Sequence, residues 1–193
     1  MPGRRGVQAR VATSVPSGSA TRYERVRGAA VDLVRRLGAL INVGAALFPR
    51  DAASDGCHVG GEVLAVSPGD PYVEGQGDGP TTNAFGWATA ILPEGGTPLA
   101  ATLEALTPTL TALTGKTIVV LATDGGPNCN DAASCPPEEC IPYVEGAQGC
   151  DATCCEPGGP AGPTGCVDRA AAVAAVAAVA AAGIDVYVIG IPG

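Results

Sequence analysis

The sequence predicts an α/β fold: a doubly wound, mostly parallel sheet with helices on both faces, a three-layer arrangement carrying one cysteine-rich loop insertion. Three observations predict it. Ile118, Val119, Val120, Leu121 and Ala122 form a continuous apolar run, the pattern of a strand covered on both faces. A second run, Asp185 to Ile191, follows an alanine-rich segment of helical spacing. Strand-like and helix-like segments alternate along the rest of the chain, as βαβ units require.

Residues 1–14 read in two ways. Val7, Ala9, Val11 and Thr13 alternate with Gln8, Arg10, Ala12 and Ser14, which is a weak strand pattern or a frayed terminus. The domain proper is expected over 15–193. Pro16-Ser17-Gly18-Ser19 forms a polar turn, after which Tyr23, Val26, Ala30, Leu33, Val34 and Leu37 recur at helical spacing, predicting a helix from Thr21 to Leu37. Asn42 to Phe48 reads as a short buried strand stopped by Pro49, and Glu62 to Val66 as an edge partner. Gly75, Gly77 and Gly79 lie in a loop without the preceding strand and spacing of a phosphate-binding loop. Thr82 to Ile91 reads as a short helix. Thr97 reads as the N-cap of a helix with Pro98 at its first position, and Pro108 as a kink or division of that helix. Asp168 to Ala182 is expected to be helical, with Val173, Val176 and Val179 on one face and Gly183 after its end.

At 193 residues the chain suits one domain, and with 4% aromatic residues its core must be aliphatic. The formal charge of −8 argues against nucleic acid and suits cations. No apolar stretch is long enough to span a membrane. Eight cysteines imply disulfides in an oxidising, extracytoplasmic compartment. Cys57 stands apart; the other seven lie within a long loop, the expected insertion over 128–166, or at its end. Adjacent Cys154 and Cys155 are expected to take different partners; the connectivity stays open. Zinc lacks the Cys-x-x-Cys spacing it favours. Residues 1–20 carry Arg4, Arg5 and Arg10 but no apolar core of a secretory leader, so the expectation is another export route or a start lying upstream.

The candidate functional residues sit at element boundaries. Asp124 follows the Ile118 strand and precedes Gly125-Gly126-Pro127, at the sheet edge where open α/β folds bind ligands; as a turn cap it would need no function. Ser17-Gly18-Ser19 precedes the first helix, and Thr97 lies in Gly-Gly-Thr-Pro-Leu. Taken together, these pieces resemble the von Willebrand factor type A domain, the integrin inserted-domain fold. The resemblance runs from about Val11 to Gly193 and includes the Val-Gly-Ala-Ala-Leu-Phe-Pro strand and the closing Tyr-Val-Ile-Gly-Ile-Pro-Gly. It implies a metal-ion-dependent adhesion site with Ser17, Ser19, Thr97 and Asp124 as ligands. It implies magnesium, manganese or calcium as the ion, weakly bound, and a partner presenting a carboxylate. The implied activity is adhesion-type binding, not catalysis. Hydroxyls and carboxylates are hard ligands that suit these ions.

The chain departs from the family where the leading Asp of the motif falls at Val15, in the poor strand before it, and in having no helix after the Tyr187 strand. These departures suggest a fragment, or a structural domain of the same fold with a decayed site. A hydrolytic triad of Ser17, His58 and Asp124 is disfavoured by the absence of a Gly-x-Ser-x-Gly elbow.

Overall fold

The computed structural model describes residues 21–50, 56–91, 94–123 and 125–190. The chain is a mixed α/β protein whose strands fall into two pairs. Helix α1 (Arg22–Leu37) opens with a capping box: the Thr21 hydroxyl accepts from the Glu24 amide while the Glu24 carboxylate accepts from the Thr21 amide. Strands β1 (Asn42–Leu47) and β2 (Gly61–Pro68) pair antiparallel, from Asn42 opposite Pro68 to Leu47 opposite Gly61. Helix α2 (Pro80–Ala88) follows, packing on both strands and on α1.

Helix α3 (Leu99–Thr111) and helix α5 (Arg169–Ala181) lean on each other. They cover one face of a parallel pair, β3 (Ile118–Thr123) and β4 (Asp185–Gly190), in which Val120 stands beside Tyr187 and Leu121 beside Val188. Leu99, Leu103, Leu121, Ala172, Ala175, Val179 and Ile184 form the core, with Phe48, at the end of β1, packed against it. Burial of the leucine, isoleucine and valine side chains among them contributes roughly 1.5–3 kcal/mol each. Lys116 and Asp185 pair across the start of β3 and β4. No helix among the described residues is long and apolar enough to cross a membrane.

Among the described residues the strands form an antiparallel pair and a parallel pair. Four expectations need correction. The β3 and β4 strands are not covered on both faces: Leu121 is 6% exposed, but Val120 and Tyr187 are 55% and 58% exposed, because α3 and α5 cover one side only. The β1 strand, expected to be buried, buries only Leu47 fully. In α5 the buried stripe is Ala172, Ala175 and Val179, while Val173 is exposed. Valines three apart step back by about 60° per repeat around a helix of 3.6 residues per turn, so Val173 and Val179 cannot share a narrow face; the small alanines permit close approach instead. Pro108 sits inside α3 without dividing it. The hydroxyls of Thr107 and Thr111 bond back to the carbonyls of Leu103 and Thr107 around it.

The insertion contains one short helix, α4 (Ile141–Val144), and single 3₁₀ turns at Pro137–Glu139 and Pro163–Gly165. A loop of this length with little regular structure needs covalent ties. It has them: Cys135–Cys166, Cys140–Cys155 and Cys150–Cys154, with Cys57–Cys129 joining its beginning to the loop after β1. All eight cysteines are paired, and Cys154 and Cys155 take different partners as expected. Four intramolecular disulfides point to an oxidising, extracytoplasmic environment.

A candidate metal-binding loop cluster

Thr97 is the one candidate ligand among the described residues; Ser17, Ser19 and Asp124, together with Val15, lie outside them. Its loop is built by close backbone approach. The Gly96 amide donates to the Gly56 carbonyl at 2.7 Å, and a Cβ on Gly96 would collide with Cys129 Sγ and stand 2.9 Å from Asn128 Oδ1. Only glycine lets the two loops and the Cys57–Cys129 bridge meet there.

Thr97 itself is clamped by Asn128. The Asn128 amide donates to the Thr97 carbonyl at 3.0 Å, and the Thr97 amide donates to Asn128 Oδ1. Both backbone polar groups of Thr97 are thus satisfied by one residue of the loop after β3. That loop is held in turn by Cys129 N donating to Thr164 O and Asp168 N donating to Pro127 O. From below, Thr102 accepts from the Gly60 amide at 2.9 Å and donates to the Pro98 carbonyl at 2.7 Å, tying the loop after β1 to the first turn of α3.

The expected capping role of Thr97 is not observed. The N-cap of α3 is Pro98, with no side-chain cap, and the Leu99 amide bonds to the Thr97 carbonyl. The Thr97 hydroxyl has no hydrogen-bond partner among the described residues. It lies 3.6 Å from where a Cβ on Gly125 would stand, so the end of β3 that carries Asp124 in sequence runs beside it. Asn128 was not legible as a candidate; a lone Asn after Gly-Gly-Pro carries no signal of a contact 31 positions away.

The carboxyls with shifted acidity lie elsewhere and have structural causes. Asp70 is held below the usual carboxylate range chiefly by the Thr82 amide, with Thr81 adding to it, as the anionic cap of α2. The Arg35 guanidinium lowers Asp78, and the Thr153 hydroxyl and amide lower Asp151. Two clefts flank α2, one lined by Leu64, Ser67 and Ala84, the other by Arg35, Asp70 and Asp78; neither includes Thr97. His58 lies exposed in the loop after β1. Two trios of sulfurs, Cys135 with Cys155 and Cys166, and Cys140 with Cys150 and Cys154, each lie within 4.8 Å of one another. All six are in disulfides, a form that offers no thiolate to a soft metal.

Comparison with known proteins finds no matching family model, no matching curated protein and no matching solved structure.

Proposed function

We propose that the chain is a divalent-cation-dependent, adhesion-type binding module of the von Willebrand factor type A kind. The observation that carries this reading is the Thr97 hydroxyl. It is not spent on capping α3, the backbone that carries it is held by Asn128, and it lies beside the end of β3 that leads into Asp124. Ser17, Ser19, Thr97 and Asp124 would hold the ion, an all-oxygen set suited to magnesium, manganese or calcium. When bound, the ion supplies a positive centre that a carboxylate of a partner protein completes. The chain's own residues orient the hydroxyls, and their number leaves coordination positions for that carboxylate.

The doubly wound sheet belongs to the same reading. It would place one strand between β1 and β3. Among the described residues β1 is bonded only to β2, and β3 only to β4, while Phe48 and Leu121 share one core.

Val15 favours a second reading, a structural or interaction domain of this fold with a decayed metal site. Valine accepts no hydrogen bond, and losing an outer partner of a metal site costs about 10–100-fold in affinity. Calorimetric titration with Mn²⁺ of the chain and of Val15→Asp separates the two. Measurable binding by the parent chain that tightens in the variant is expected; no binding by the parent chain would favour the decayed site.

A further inference from the structure

The three disulfides inside the insertion form one line of six sulfurs. Cys155 Sγ lies within 4.8 Å of both Cys135 and Cys166, and Cys140 Sγ lies within 4.8 Å of both Cys150 and Cys154. The bonded pairs Cys135–Cys166, Cys155–Cys140 and Cys154–Cys150 therefore follow one another without a gap. The four inner sulfurs belong to buried residues: Cys166, Cys140 and Cys154 are at most 1% exposed, and Cys155 is 5% exposed. The residues at the two ends of the line, Cys135 and Cys150, are half-buried. The ends also differ. Cys150 follows a run of exposed residues, 145–149, whereas Cys166, the partner of Cys135, is held in a backbone bridge to Cys140.

We propose that Cys150 is a site of S-thiolation by low-molecular-weight thiols, and that the six sulfurs relay the exchange so that a thiol emerges at Cys135. The external thiolate attacks Cys150, forming a mixed disulfide and releasing Cys154 as thiolate. Cys154 attacks Cys140, forming Cys140–Cys154 and releasing Cys155. Cys155 attacks Cys166, forming Cys155–Cys166 and releasing Cys135. Each step breaks one S–S bond and forms one, so no oxidant or reductant is consumed. The thiolate carried in by the small molecule leaves as Cys135. Burial drives the sequence onward, because a thiolate at Cys154 or Cys155 is poorly solvated while one at half-buried Cys135 reaches water. The middle step moves the bond of Cys140 by a single residue, from Cys155 to its neighbour Cys154, so the backbone has little to rearrange. The Cys57–Cys129 bridge lies outside the line and takes no part.

The test is peptide mapping of the native chain after brief treatment with one equivalent of glutathione, an acid quench and alkylation with N-ethylmaleimide. The expected result is glutathione on Cys150, the alkyl group on Cys135, and new Cys140–Cys154 and Cys155–Cys166 bridges. Alkylation confined to Cys154 or Cys155, with Cys135–Cys166 intact, overturns the relay; glutathione on any cysteine other than Cys150 overturns the entry site. The double variant Cys140→Ala, Cys155→Ala interrupts the line and should shift the label to Cys154. An alkyl label on Cys135 in that protein would show that its bridge is opened by direct attack at Cys166 and contradict the proposal.

Discussion

At the scale of single residues, Asn128 and Thr102 do the work that the sequence did not advertise. Asn128 holds both polar groups of the Thr97 backbone, so under the proposed function it would be a positioning residue. Asn128→Ala should weaken Mn²⁺ binding by lowering the fraction of chains with Thr97 in place, and Asn128→Asp, which keeps the acceptor, should recover part of it; calorimetry of the two variants checks this. Thr102 is buried, and its hydroxyl bridges the Gly60 amide and the Pro98 carbonyl. Thr102→Val keeps the shape and leaves the Gly60 amide without its partner, at a cost of about 1–3 kcal/mol. Urea unfolding of the variant measures that cost, and an unchanged midpoint would mean that Gly60 finds another acceptor. The role of Thr97 was misread for a physical reason. Thr-Pro before an apolar run has the composition of a helix start, but here the loop after β3 engages the Thr97 carbonyl and the helix begins two residues later. A tertiary contact from 31 positions away decides the matter, and local pattern cannot hold that information.

At the scale of elements, legibility followed how local the determinants are. Helix α1 is fixed by its capping box and its 3.6-residue periodicity, both local to residues 21–37, and its extent was readable, although Leu33 and Leu37 of the expected apolar face are exposed. The existence of β1 to β4 was readable from apolar runs, and the partnership of β1 with β2 from their closeness in sequence. The covered face of α5 was readable only at Val179, because valine and alanine compete for the rest of it and the packing against α3 selects Ala172 and Ala175. Helix α2 supplies the pH prediction. Asp70 is the anionic cap of its first turn, with an acidity strengthened by the Thr82 and Thr81 amides. A carboxyl whose folded pKa lies below its unfolded value of about 4 stabilises the fold above that value, and loses the effect as pH falls through the folded value. Asp70→Ala should therefore lower the urea midpoint at pH 7, and the gap from the parent chain should close progressively below about pH 4. A gap that stays constant down to pH 2 would show that the carboxylate charge is not what α2 uses.

At the scale of the whole molecule, four covalent ties and one aliphatic core hold together two strand pairs. The number of cysteines announced the ties, but not their order, since 105 arrangements are open to eight cysteines and the choice depends on which loops meet. The ties are unequal. Cys57–Cys129 closes a separation of 72 residues and Cys150–Cys154 one of 4; chain entropy gives roughly 4 kcal/mol for the first and roughly 2 kcal/mol for the second. Removing Cys57–Cys129 by paired Ala substitutions should lower the thermal midpoint more than removing Cys150–Cys154, as scanning calorimetry would record. The reverse order would place the stability of the molecule in the insertion. The same long tie presses the loops around Gly96, Thr97 and Asn128 together, so fold and proposed site depend on one cluster of contacts. The most direct measurement of that proposal is a calorimetric Mn²⁺ titration of the oxidised chain beside Thr97→Ala and Asp124→Ala. Saturable one-site binding in the parent chain, weakened in Thr97→Ala and lost in Asp124→Ala, is the expected result. Binding that is absent from the parent chain, or that survives unchanged in Asp124→Ala, would contradict a cation site at the end of β3.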